Sequence, residues 1–212
     1  MPLRLLLILF LVCFALRADE PSPFDRARVL FENNRFDEAR AAFDHLAASD
    51  ANNPELLYWQ GMCAVALNHA DEAVTRLERA TALKPDDARF FDALGDAYGM
   101  SALKASLFAK LGLARKCIAS YDRAVALDPA NVEYRKSRYE YYRSAPAMAG
   151  GGADKAAAEI AEIEKLDPVQ GAGLRADLKL KDGHVDEAFA LLEQLRHKYP
   201  DSPVLRFQLG RL

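Results

Sequence analysis

Four histidines, three cysteines and one run of three glycines are the residues of this chain whose types could carry chemistry. His45, His69, His184 and His197 would act as metal ligands or bases only in company. None has a second histidine one helical turn away beside a carboxylate, the arrangement that puts two ligands on one face. His197 falls in the last turn of a helix, and the others fall at surface or turn positions. Gly150-Gly151-Gly152 could cradle an anion ahead of a helix. It lacks the preceding strand and the lysine-serine ending of a phosphate loop. Carboxylates are abundant but scattered over solvated faces. The expectation is a non-enzymatic protein with no catalytic residues, no metal, no cofactor and no small-molecule substrate.

The richest interaction chemistry is in Tyr134 to Arg143 (YRKSRYEYYR), which holds four tyrosines and four basic residues. Tyrosine and arginine are favoured at interface hot spots. The alternative is that Tyr139 and Tyr142 are core and the basic residues a solvated face. Across the whole chain, 28 basic and 31 acidic residues give a net charge of -3, without the basic excess of a nucleic-acid binder. With 51% hydrophobic and 28% charged residues, the chain is too charged for a polytopic membrane protein and too apolar for disorder. Three cysteines do not make a disulfide framework. Cys117 stands where small packed residues recur, so it reads as a buried apolar residue. A disulfide from Cys63 to Cys117 is the alternative.

The N-terminus has its own character. Leu5 to Leu16 is unbroken apolar sequence, preceded by Arg4 and followed by Arg17 and Ala18. At 12 residues it is short of the roughly 20 that span a bilayer, and it reads as an export signal. The expected division is a signal peptide over 1–18 and a folded domain over 19–212. The mature chain would be periplasmic or otherwise exported, with no stable membrane insertion after cleavage. An uncleaved inner-membrane anchor is the alternative, because Leu16 is not the small residue a cut after Ala18 prefers. Cys13 lies inside the run behind Leu11 and Val12, which speaks against a lipoprotein.

Self-similarity organises the remainder. DEAVTRLERATALKP ends at Pro85, RKCIASYDRAVALDP at Pro129, DKAAAEIAEIEKLDP at Pro168 and DEAFALLEQLRHKYP at Pro200. Aligned, Ala73, Cys117, Ala156 and Ala188 coincide. Leu77, Tyr121, Ile160 and Leu192 follow four residues later, and Ala80, Ala124, Ile163 and Leu195 three beyond those. That spacing is one face of a helix. Asp37-Glu38-Ala39, with Phe43 and Leu46, is an earlier copy, and Ala39 to Ala73 is 34 residues. Upstream of the copies lie second amphipathic stretches, clearest in Leu56 to Leu67 and Phe90 to Tyr98, with Gly61 and Gly95 in equivalent places. A 34-residue helix-turn-helix unit with these signals resembles the tetratricopeptide repeat family, over roughly Phe24 to Leu212.

The resemblance implies an all-α, right-handed helix-turn-helix solenoid of five helix pairs, closed by a capping half-repeat at Val204 to Leu212. It also implies a protein–protein interaction module or scaffold that holds a peptide or helix in a concave groove lined by first helices. A structural adaptor subunit of a bacterial envelope machine (secretion, pilus or outer-membrane assembly) is the alternative. The groove candidates are Glu55, Tyr58 and Met62, then Arg89, Asp92 and Asp96, then Lys136, Glu140 and Arg143. The lysine and asparagine pattern that clamps a C-terminal carboxylate in some members is absent, and Asp92 and Asp96 would repel one.

Two repeats depart from the unit. Ala73 to Cys117 is 44 residues and Cys117 to Ala156 is 39, while Ala156 to Ala188 is 32. The first insertion, Gly99 to Ala114, carries Leu103, Leu107 and Leu111 at helical spacing. It predicts a helix pair lengthened by about 7 Å, with its turn at Gly99 or Ser106. The second, Ser144 to Gly152, holds a proline and three glycines and predicts a shaped loop. The expectation is that this loop folds back over the first insertion, with Pro146 or Met148 touching Leu107, Phe108 or Leu111. The competing outcome is that the apolar stripe stays open.

Overall fold

The computed structural model describes residues 21–210. The apolar run Leu5 to Leu16, and the cut expected after Ala18, lie outside the described residues. Eleven α-helices and one short 3-10 turn follow one another: α1 (Pro23–Glu32), α2 (Phe36–Ala47), α3 (Pro54–Ala66), α4 (Ala70–Leu83), α5 (Ala88–Lys104), α6 (Leu107–Leu127), α7 (Val132–Ser144), the 3-10 turn (Ala147–Ala149), α8 (Ala153–Leu166), α9 (Pro168–Lys181), α10 (Val185–Lys198) and α11 (Pro203–Leu209). Each helix packs on its neighbours in sequence, so the chain is a solenoid of five helix pairs closed by α11. Among the described residues, no helix is long and apolar enough to cross a membrane.

Local chemistry sets the boundaries. Every first helix of a pair, and the cap, opens on a polar residue: Ser22, Asn53, Asp87, Asn131, Asp167 or Ser202. Its side-chain oxygen accepts a backbone N–H two or three residues on. Proline fills the first turn at Pro23, Pro54, Pro168 and Pro203, where a missing N–H leaves no gap. In the three pairs without an insertion, the first helix ends on a left-handed residue, Asn34, Asn68 or Gly183. The next residue then donates back to the carbonyl of Leu30, Ala64 or Lys179, which closes the helix end.

Small residues let the paired helices touch. Ala39, Ala73, Ala156 and Ala188 are buried, as is Cys117. A Cβ on Gly61 would lie 2.6 Å from Leu77 Cγ, and one on Gly95 would run into the Tyr121 ring. The recurring large side chain therefore sits directly over the glycine of its own pair. The 32-residue repeat loses its residues at the turn between pairs. Asp167 alone ends α8 and caps α9, where Lys84 to Asp87 do the same work earlier. That tight turn brings α9 against α8, and a Cβ on Gly171 would lie 2.7 Å from Glu164 Cα.

The first insertion lengthens both helices of the third pair, to 17 residues in α5 and 21 in α6. The break falls at Ala105-Ser106, so Ser106 and not Gly99 marks the turn. The second insertion is a shaped loop. Gly150 and Gly152 take positive φ, Gly152 N–H donates to the Tyr142 carbonyl at 2.9 Å, and a Cβ on Gly151 would collide with the Ala145 carbonyl. The buried Tyr141 hydroxyl lies 2.6 Å from the Ala149 carbonyl and 2.9 Å from the Ala114 carbonyl, which pins the loop to the body of α6.

The loop does not cover the apolar stripe. Phe108 is 93% exposed, Leu107 79% and Met148 75%, so the outer part of the stripe stays open, while Leu111 is half-buried. The reason is where Tyr141 anchors the loop. Ala114 lies about two turns along α6 from its start, and the loop ends there.

Candidate functional site

The expected groove residues lie on α3, α5 and α7, the first helices of three successive pairs. Of these residues, Arg89 touches Glu55 and Tyr58, and Asp96, Lys136 and Glu140 line one cleft. The 34-residue repeat is visible in the first group. Arg89 on α5 grips Glu55 on α3 with two hydrogen bonds, of 3.0 and 2.9 Å. Its guanidinium also bonds Asp87 at 2.7 Å and lies 5.4 Å from the centroid of the Tyr58 ring. Tyr58 stacks on Phe90, and burial pushes its hydroxyl up to about 12. Met62 is half-buried against the core beneath.

Charges here are unequally satisfied. Burial works against ionising Asp87, yet hydrogen bonds from Arg89 and Lys84 hold it down to about 2. Lys136 bonds Glu133 at 2.8 Å, and Arg143 bonds Glu140, each within its own helix. All three basic candidates are thus occupied by carboxylates. Among the described residues, Asp92 and Asp96 are paired with no cation. Burial raises Asp92 to about 7, the charges of Asp96 and Glu133 add to the rise, and Ser137 opposes it. Its Oδ1 is buried without a hydrogen-bond partner. Asp96 keeps an open edge to solvent while its carboxylate accepts from the Tyr121 hydroxyl at 2.6 Å. Enclosure of that carboxylate still raises it above its ordinary range.

Between α5 and α7 lies a cleft of about 490 Å³, whose walls include Asp96, Glu133, Lys136, Ser137, Glu140 and Leu103. A loosely packed groove of this kind, with fixed carboxylates on its walls, can bind charge and hydrogen-bond donors. It holds no paired nucleophile and base. Among the described residues, no group of three His, Cys, Asp or Glu side chains is placed to hold a metal. The four histidines are all exposed. Cys63 and Cys117 are buried free thiols, which burial pushes up to about 12, so they form no disulfide with each other.

The tyrosine-rich stretch divides between two roles. Tyr139 and Tyr141 are buried in the core, whereas Tyr142 is half-buried. Arg135 and Arg138 turn away from the groove toward α8. There they bond Glu159, 4% exposed, at 2.9 and 2.6 Å. Sequence periodicity does not show this triad, because Glu159 occupies a helix face otherwise read as apolar. Nor does it show that Ser137, Glu133 and Tyr121 frame the two aspartates. The only available signal is the i, i+3 spacing of Arg135 and Arg138.

Three family models described as tetratricopeptide repeat match residues 25–97, 98–131 and 174–202. The chain is 30% identical over 135 residues to the Hsp70-Hsp90 organizing protein of Triticum aestivum, across 61% of this chain but 21% of that protein. The chain therefore spans about a fifth of that relative. Among solved structures, a thermophilic TPR protein of Thermus thermophilus superposes with a TM-score of 0.69 at 22% identity, covering 89% of this chain and 96% of that one. MamA superposes with a TM-score of 0.61 at 20% identity, covering 82% and 96%. YrrB, described as a TPR protein with an unusual peptide-binding site, gives 0.55 at 18%, covering 96% and 98%. The three model matches together span more than half of the chain and fall on the helix pairs that the structure builds, so the chain belongs to the tetratricopeptide repeat family.

Proposed function

We propose that this chain is a protein-interaction module whose concave groove takes a cationic segment of a partner protein. One observation carries the reading. Arg89, Lys136 and Arg143 are each spent on a neighbouring carboxylate, while among the described residues Asp96, which lines the cleft, and Asp92 beside it have no cation. A lysine or arginine of the partner would complete them, and in a partly buried site such a charge-assisted bond is strong. Tyr58 and the Leu103 wall of the cleft offer apolar surface beside the charge. Two relatives support an interaction role by their names alone: an organizing protein for Hsp70 and Hsp90, and a TPR protein with a peptide-binding site. Export of the chain, proposed from Leu5 to Leu16, would place this partner in the cell envelope.

Calorimetric titration tests the reading, with one decapeptide of alternating lysine and alanine and another of alternating glutamate and alanine. The lysine peptide is expected to bind and the glutamate peptide to fail. The double variant Asp92→Asn, Asp96→Asn is expected to weaken lysine-peptide binding about tenfold or more. Equal binding of the two peptides, or an unaffected double variant, would overturn it.

A further inference from the structure

We propose that the tip of the α5–α6 hairpin is a second interaction surface, one that docks reversibly on an anionic lipid bilayer. The α6 helix has 21 residues where α4 has 14, and α5 has 17 where α3 has 13, so the hairpin stands about 6–10 Å beyond its neighbours. Its end carries Leu103, Leu107 and Phe108, all exposed, and Phe108 is almost entirely bare. Met148 adds a fourth exposed apolar side chain on the same edge, from the loop whose 3-10 turn packs against α6. Apolar groups gathered at one convex end are unusual on a monomer's surface.

The charge around this tip says what it fits. Between Asp96 and Asp122 there is no acidic residue, while Lys104, Lys110, Arg115 and Lys116 fall in that stretch. The chain as a whole is acidic, so the hairpin is a local reversal of sign. Lys116 reaches Glu78 at 3.4 Å, and Lys104 donates to the Asn68 carbonyl at 2.8 Å. Among the described residues, Lys110 and Arg115 have no ion-pair partner. Carboxylates border the hairpin on both flanks: Asp71 and Glu72 around a cleft with Lys104 and Leu113, and Asp96, Glu133 and Glu140 around the cleft that Leu103 also lines. A protruding apolar tip with Lys104 and Lys110 beside it, and Arg115 and Lys116 about two turns along α6, complements an acyl layer behind negative headgroups.

The test uses the full chain and vesicles of phosphatidylcholine, with or without phosphatidylglycerol. Because the Leu5 to Leu16 run could itself bind lipid, the readout is placed at the tip. In a Phe108→Trp variant, the added indole is expected to shift its emission to the blue with phosphatidylglycerol vesicles and not with phosphatidylcholine alone. High salt is expected to reverse the shift. Adding Lys110→Glu and Arg115→Glu is expected to weaken this response about tenfold or more, with an unchanged melting curve because both side chains are exposed. No shift with anionic vesicles, or an equal shift in the charge-reversed variant, would overturn the proposal. So would a shift that needs no lipid and grows with protein concentration, which would assign the tip to a second copy of the chain.

Discussion

Glu159 and Asp92 are both carboxylates taken out of water, and the fold treats them oppositely. Glu159, on a second helix, is gripped by Arg135 and Arg138 from the neighbouring first helix, and Arg138 also reaches Asp122 at 3.2 Å. Asp92, on a first helix, meets another aspartate, a serine and a buried empty lone pair. A buried charge without a partner is costly, so a fold that could have paired both has paired only the one that faces inward. The difference separates a structural ion pair from a carboxylate left without a cation, which is what the proposed function uses.

The largest effect should come from breaking the satisfied partner. Glu159→Ala strands two partly buried arginines and is expected to lower stability by about 3 kcal/mol in urea denaturation. A loss below about 1 kcal/mol would mean that the triad is no more than a surface pair. Gly95→Ala comes next. Its methyl would meet the Tyr121 ring, and Tyr121 also donates to Asp96. A loss of about 2 kcal/mol is expected, together with weaker lysine-peptide binding, because the wedge that aims Asp96 has moved.

Asp92→Asn should act with the opposite sign. The folded chain keeps the Asp92 proton up to about 7, whereas the unfolded chain releases it near the ordinary aspartate value of 3.8. Across that window the folded state binds more protons, so this group makes stability fall as pH rises from about 4 to 7 and level off above. The asparagine variant is expected to be more stable than the parent by about 1–2 kcal/mol at about pH 8 and indistinguishable from it near pH 3. Thermal melts at the two pH values check this. The smallest effect is expected at the loop. Tyr141→Phe removes the hydroxyl that bridges Ala114 and Ala149, at about 1 kcal/mol, and should raise hydrogen exchange at Gly151 and Gly152 without changing peptide affinity.

The architecture is legible in the sequence wherever a residue's role depends on its own pair. Gly61 under Leu77, Gly95 under Tyr121 and the buried Ala73 follow from spacing alone, because helices that cross closely admit no bulk at the contact. The contact of Glu55 with Arg89 follows from the 34-residue step as well. What spacing does not show is which of the groove candidates' charges cancel. That depends on rotamers, and it leaves Asp92 and Asp96 as the candidates without an opposite charge among the described residues. The loop departs from expectation for a related reason. Met148 and the leucine stripe share an edge, but Tyr141 anchors the loop about two turns short of the tip, and a hydroxyl's choice of carbonyl leaves no periodic trace.

The central claim is that Asp92 is held in the groove awaiting a cation. Its carboxyl titration can be followed by carbon NMR in the free chain and in the chain saturated with lysine-alanine decapeptide, assigned by comparison with Asp92→Asn. The account predicts a midpoint of about 7 in the free chain, falling by about two units or more toward the ordinary carboxylate range once the peptide's ammonium is in place. A midpoint that is unchanged by saturating peptide would contradict it.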